Sequence, residues 1–395
     1  MKKQNQKSLL EALAQGKLSR REFLRKSAAV GLSLPVAGAL FGSSVGFAQA
    51  GDGLDQVVWI SPRGTLEVLD DYNLWVPEKL GYFEDLGLSV ELQPGPLEAL
   101  AVTRFVATNQ ADVGYPSPGV FLASLDAGMD IVMPWEMMVG QVFNFAVAPD
   151  SPLNTIADLE GTTIALGSPG WEVIVDPILV EAGVDPSSVT YLQAGNQASR
   201  TVETGDADAV LTWQGLAAQW AAQGRNYKYI LGREFSDHPS NGYIIRRADL
   251  EDDQLLDIWE RFFRGVAMGF EFARINPRAA AQLTYEEFPG LQDQMEPQLA
   301  MDSLLELAES YYGSYRLGQG YGWSNIPGWQ NYIDTVHELG QIQNRYDAND
   351  VVTNQLITEA NNFDAEKVAA DAADFNLDEQ WQQVEAPDVL ATIDN

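Results

Sequence analysis

Apolar residues recur along the chain in short runs and helical stripes that alternate from residue 56 onward. Residues 56–60 read as a buried strand, and after the turn Ser61-Pro62-Arg63-Gly64 the spacing predicts a helix over 66–80 with Pro77 as an irregularity. Gly81 ends it. A strand at 88–92, a helix at 97–108, a short strand at 111–114, a helix at 119–127 and a strand at 131–133 follow. That alternation predicts a lobe built on a parallel sheet.

Residues 142–148 alternate in strand fashion and lead into a second set: strands at 162–166, 189–192, 209–212 and 227–231, with helices at 171–181, 199–204 and 215–222. A strand at 242–246 leads back. From residue 250 the pattern is mostly helical, at 252–273, 277–286, 298–312, 329–339 and 365–373. The expected fold class is α/β, with two lobes joined by two crossing strands that form a hinge and a helical C-terminal region packed on the first lobe. The divisions are 51–145 for the first part of lobe 1, 146–241 for lobe 2, and 242–395 for the return and the C-terminal helices. Lobes hinged in this way close around a ligand.

The first fifty residues carry different information. Ser19-Arg20-Arg21-Glu22-Phe23-Leu24 precedes a moderately apolar run ending in Ala48-Gln49-Ala50, the pattern of a twin-arginine signal peptide with a small-residue cleavage site near Ala50. Glycines, serines and Pro35 make that run too weakly apolar for a secure membrane span. The expected product is soluble and periplasmic. Of the 24 basic and 56 acidic residues, 8 and 2 fall in this leader, leaving 16 against 54 and a net charge of −38. Only Lys79, Lys228 and Lys367 remain as lysines. A low-lysine, carboxylate-rich surface suits strong brine, where screening falls to about 3 Å at 1 M salt, and disfavours nucleic acid as a partner. With no cysteine, disulfides, thiolate metal sites and a cysteine nucleophile are excluded.

Four pieces in order carry a resemblance: Lys79-Leu80-Gly81-Tyr82-Phe83-Glu84-Asp85-Leu86-Gly87-Leu88, Gln110-Ala111-Asp112-Val113-Gly114, Ser151-Pro152-Leu153 with Ile156-Ala157-Asp158-Leu159-Glu160-Gly161, and Gly205-Asp206-Ala207-Asp208-Ala209. The chain resembles the periplasmic receptors for nitrate, sulfonates, taurine and thiamine-pyrimidine precursors. That resemblance implies a type II periplasmic-binding fold, binding rather than catalysis, and a membrane permease of an ABC importer as partner. Read for themselves, the motif glycines serve turns, while Asp112 and Asp206 cap turns before buried strands.

Ligands of open α/β sheets sit beyond the carboxyl ends of the strands, which singles out five loops. Ser61 and Arg63 occupy the first, where the guanidinium is a candidate partner for an anionic group. Tyr115 and Ser117 precede a helix start with free backbone N–H groups. Trp135 and Glu136 pair an indole with a carboxylate, an arrangement suited to a protonated amine or an electron-poor ring. Ser168, Gly170 and Trp171 join a strand to a helix N-terminus, and Trp213 and Gln214 follow a strand opposite them. Residues 321–325 form an aromatic loop expected at the rim. Such a lining suits a small organic solute with a flat or cationic part better than nitrate. A thiamine-type pyrimidine and an aminosulfonate both fit it.

The resemblance also raises a synthase of thiamine pyrimidine that consumes its own histidine and pyridoxal phosphate. That chemistry needs a Schiff-base lysine and a nearby histidine; His238 and His337 are the two histidines, while Lys79 sits in a turn motif and Lys228 precedes a strand, so neither lysine has an evident partner. Beyond the leader there is no Gly-x-Ser-x-Gly, phosphate-binding glycine loop or metal-ligand spacing. The expectation is a monomeric receptor without a cofactor or metal; a sensory binding protein on the same fold is the other alternative.

Overall fold

The computed structural model describes residues 53–387 and 389, except 97, 139, 214, 215, 236 and 237. The leader and Gln214 lie outside the described residues. Ten strands are seen: β1 (Asp55–Ile60), β2 (Leu88–Gln93), β3 (Val113–Gly114), β4 (Ile131–Glu136), β5 (Phe143–Val147), β6 (Thr163–Leu166), β7 (Thr190–Gln193), β8 (Ala209–Trp213), β9 (Lys228–Leu231) and β10 (Gly242–Arg246). They form two five-stranded sheets, ordered β2-β1-β3-β10-β4 and β7-β6-β8-β5-β9. The architecture is the expected mixed α/β fold of two lobes.

The first sheet is not wholly parallel. β1 runs parallel to β2 and β3, but β10 enters between β3 and β4 and is antiparallel to both. A strand from more than a hundred residues downstream thus separates two that are neighbours in sequence. In the second sheet β6 lies parallel to β7 and β8, and β5 lies antiparallel to β8 and β9. The chain passes between sheets at 137–142 and at 232–241. These segments touch where the Met137 N–H donates to the Asn241 carbonyl at 3.0 Å. Neither is a continuous strand: β4 stops at Glu136 and β5 starts at Phe143.

One device recurs in both lobes. The Asp112 N–H donates to the Val58 carbonyl while the Asp112 carboxylate accepts from the Val58 N–H, both at 2.9 Å. Asp208 makes the same exchange with Thr163, at 2.9 and 2.8 Å. The Ala-Asp pair ahead of β3 and β8 therefore closes a backbone pair with the neighbouring strand, which is why an aspartate stands there twice.

The principal helices are α1 (Tyr72–Lys79), α2 (Ala99–Ala107), α3 (Pro118–Asp126), α4 (Glu172–Glu181), α5 (Ala198–Thr204), α6 (Asp253–Ile275), α7 (Pro277–Glu287), α8 (Pro297–Leu305), α9 (Ile326–Glu338) and α10 (Ala365–Asp374). The longest, α6, starts at Asp252, whose carboxylate caps the N–H groups of Gln254 and Leu255. It buries Trp259, Phe262, Phe263 and Phe270 and packs on α1 and α10, so the C-terminal region rests on the first lobe. It also reaches the second. α8 packs beside residues 217–222, and Gln341 donates to Asp176 of α4 at 3.0 Å.

Two helices differ from expectation. The stretch 66–80 becomes helical only at Tyr72, because Asp71 directs its carboxylate to Arg63 rather than capping the helix. Residues 298–312 break after Leu305 and resume at Ala308. That break lets Tyr311 and Tyr312 turn inward, their hydroxyls donating to the carbonyls of Asp70 and Phe270.

The repeated aspartate gives a paired test. Asp112 is buried and also meets Arg246, whereas Asp208 is exposed. Asp112→Ala should lower unfolding free energy in urea by about 2–3 kcal/mol, since it strands the buried Val58 N–H, and Asp208→Ala by less than about 1 kcal/mol. Equal losses would show that burial does not set the difference.

Candidate functional site

Between the sheets lies a cleft of about 650 Å³, counting space open to solvent. The first lobe contributes Pro62, Arg63, Asp70, Val102 and the run Tyr115-Pro116-Ser117. The second contributes Phe143, Trp171, Ile174 and Trp213, and the crossing segments add Met138, Val142 and Asn241. A second chamber adjoins it, lined by Gly167, Ser168, Asn196 and Ser199 with Glu67 and Trp220. Arg63, Trp171 and Trp213 border both, so the two indoles, 6.3 Å apart and edge to face, stand as a partition.

The charged centre is built on the loop between β1 and α1. Ser61, fully buried, accepts from the Arg63 N–H at 3.1 Å and shapes the turn. The guanidinium hydrogen-bonds the Asp71 carboxylate and lies 3.7 Å from Asp70. Burial opposes the Arg63 charge, but Asp71 and Asp70 more than offset it and hold its pKa above the ordinary value. Burial raises Asp70 above the usual carboxylate range, with Arg63 pulling it back.

Asp70 also joins the lobes. Its Oδ2 accepts from the Trp213 indole N–H at 3.0 Å, across 143 residues of sequence. Its backbone carbonyl is held by Tyr311 at 3.0 Å, which fixes the loop from behind. Among the described residues, five buried polar atoms on the lining have no partner of ordinary geometry: Arg63 Nε, Asp70 Oδ1, the hydroxyls of Tyr115 and Ser117, and Asn241 Oδ1. Buried polar groups are rarely left so, and five around one space offer hydrogen-bond partners to a molecule that enters it.

Of the residues expected at the site, Arg63, Tyr115, Ser117, Trp171 and Trp213 line the cleft, and Ser168 lines the adjoining chamber. Gly170 makes the turn ahead of α4 with φ +88°. Trp135 and Glu136 do not face the cleft. Trp135 is fully buried, stacked on Phe263 with centroids 5.0 Å apart. Gly322 abuts its ring so closely that a Cβ there would lie 2.2 Å away. The Glu136 Oε2 accepts from the Trp329 indole at 3.0 Å and the Asn325 N–H at 3.2 Å, which ties β4 to the loop before α9. The aromatic loop 321–325 is likewise an inner anchor: Tyr321 is buried and donates to Glu271 at 2.7 Å. Reading missed Asp70, Asp71 and Asn241, because helical spacing masked the first two and Asn241 sits in a crossing segment.

Residues 72–280 match a sequence profile described as NMT1/THI5 like, and the chain belongs to that family. No curated protein matches its sequence. Among solved structures it is similar to the alkanesulfonate-binding protein SsuA from Xanthomonas axonopodis pv. citri bound to MOPS, with TM-score 0.56 and 13% identity over 75% of this chain and 98% of that one. The periplasmic aliphatic sulphonate binding protein SsuA from Escherichia coli gives 0.54 and 13%, over 75% and 92%. The ligand binding component of an ABC-type import system from Staphylococcus aureus gives 0.57 and 12%, over 77% and 98%. At these identities the likeness establishes the fold, that of periplasmic binding proteins.

Glu136 yields a test of the anchor. Burial pushes its carboxyl from 4.5 up to about 8, against the hydrogen bonds from Trp329 and Asn325. Between those values the folded chain holds a proton that the unfolded chain releases. The contribution is therefore full below the lower value and is lost as pH rises to the upper one. Wild type should lose a few kcal/mol of unfolding free energy relative to Glu136→Gln between about pH 5 and 9. A difference independent of pH would place an ionised carboxylate there.

Proposed function

We propose that this protein is a solute receptor for an ABC importer, which captures a small organic molecule by closure of the two lobes. The observation that carries the reading is the Asp70–Trp213 hydrogen bond, made from one lobe to the other beside a pocket lined by unpartnered polar atoms. A ligand that bonds those atoms on the first lobe and the crossing segment while lying against Trp171 and Trp213 of the second lobe touches both walls. It thereby favours the closed form, which a permease can distinguish from the open one.

Twin-arginine export, cleavage near Ala50 and a periplasmic, monomeric life complete the proposal. The low-lysine surface supports a saline habitat. Among the described residues no helix is long and apolar enough to cross a membrane, and no cluster of His, Asp or Glu is arranged to hold a metal ion. The catalytic alternative requires a lysine and a histidine at the ligand. Instead Lys79 pairs with Glu287, Lys228 caps the Ser151 carbonyl and Lys367 pairs with Asp371. No lysine or histidine is among the described lining residues of either chamber. This distribution supports binding over a Schiff-base reaction.

A thermal-shift screen of amines, pyrimidines, sulfonates and aromatic acids at high salt tests the reading. A ligand at about 100 times its Kd should stabilise the protein by about 2.7 kcal/mol. Trp171→Ala and Trp213→Ala should each weaken that ligand at least about tenfold, given the contact area an indole supplies. A full screen without a stabilising compound, or unchanged affinity in both variants, defeats the proposal.

A further inference from the structure

We infer that the cleft selects an organic cation, held by Asp70 as counter-ion and by the Trp171–Trp213 partition, and rejects sulfonates. This rests on the receptor reading and specifies its substrate class. Arg63 and Asp70 are the only charged residues lining the inner cleft among the described residues, and Asp71 closes on the same guanidinium from behind. One cation thus faces two carboxylates. A lone arginine pointing into a pocket recruits anions, but here the terminal nitrogens of Arg63 are turned to the acids, leaving Nε as its unpartnered group. An anionic ligand would add a third negative charge to a buried site, whereas a cation brings the group to neutrality.

The placement of the unpartnered atoms agrees. Asp70 is 2% exposed, its Oδ2 is held by Trp213, and Oδ1 has no partner within the protein. An ammonium or amidinium N–H donates to that oxygen with charge assistance. Asn241 Oδ1 is a further unpartnered acceptor on the lining. The indoles of Trp171 and Trp213 and the Tyr115 ring offer faces to a cation and its flat body. Burial already raises the Asp70 carboxyl, so a ligand cation relieves a cost that the Arg63 charge offsets only in part. Arg63 Nε remains to donate to an acceptor atom elsewhere on the ligand.

The test uses the mature chain and three probes that share a phenyl body, the isosteric pair benzamidine and benzamide together with benzenesulfonate, with calorimetry at low and high salt. Tryptophan fluorescence reports the partition, and small-angle scattering reports closure. Benzamidine should bind at least about tenfold more tightly than either other probe. Asp70→Asn should remove that advantage and leave benzamide within about threefold. Trp213→Phe, which deletes the inter-lobe N–H without changing charge, should weaken both and preserve their ratio. Preference for benzenesulfonate, or an unchanged benzamidine advantage in Asp70→Asn, overturns the inference while leaving a receptor. If no probe and no compound of the wider screen binds, the receptor reading falls and takes this one with it.

Discussion

The site depends on a single carboxylate that serves both lobes. Asp70 stands beside Arg63, accepts the Trp213 indole from the opposite lobe, and is gripped through its carbonyl by Tyr311 of the C-terminal region. Each contact constrains the others. Arg63 offsets part of the cost of burying the Asp70 carboxylate, Tyr311 holds the loop ahead of α1 through the Asp70 carbonyl, and Trp213 reaches it from the other lobe. Charge, loop conformation and lobe position are thus coupled at one residue.

Much of the architecture was legible because it is local. Strands such as β1 and β8 are short apolar runs, and α6 carries its stripe for six turns, so pattern alone located them. What pattern does not carry is pairing between distant segments. The entry of β10 between β3 and β4, antiparallel, depends on partners more than a hundred residues away. The same limit governed the site. Arg63, Tyr115, Trp171 and Trp213, which line the cleft, stood out in the sequence because they lie in loops at strand ends. Asp70 and Asp71 were lost because their spacing continued a helical stripe, and an ion pair to Arg63 overrode it. Trp135 and Glu136 also follow a strand end, but Phe263, Gly322 and Trp329 from the C-terminal region cover them.

The scarcity of basic residues shapes how the fold uses them. Arg246 meets Asp112 and Asp249, Arg261 joins Asp55 and Asp257, Arg274 pairs with Glu271, and Arg345 with Asp334. Two of these, Arg246–Asp112 and Arg261–Asp55, tie elements far apart in sequence. Arg261, for example, draws α6 to the start of β1 and also caps the Leu86 carbonyl. In a chain so rich in carboxylates, these arginines find acids without special provision. A guanidinium in the cleft therefore does not by itself make an anion site.

The same accounting bears on movement. Contact between the lobes is tight at one end, where α3 meets α4: a Cβ on Gly119 would lie 2.8 Å from the Val173 carbonyl. Elsewhere the described polar ties across the gap include Asp70–Trp213 and Gln341–Asp176. Each such bond contributes about 1 kcal/mol net. The lobe movement proposed above would break ties of that size while leaving both sheets whole, a cost within reach of a bound ligand. A molecule that favours the closed form by about 5.5 kcal/mol moves the balance from one part in a hundred to its inverse. The five unpartnered atoms of the lining lie on the first lobe and a crossing segment, so that preference has to come from what a ligand touches on the second lobe, where Phe143, Trp171, Ile174 and Trp213 line the cleft.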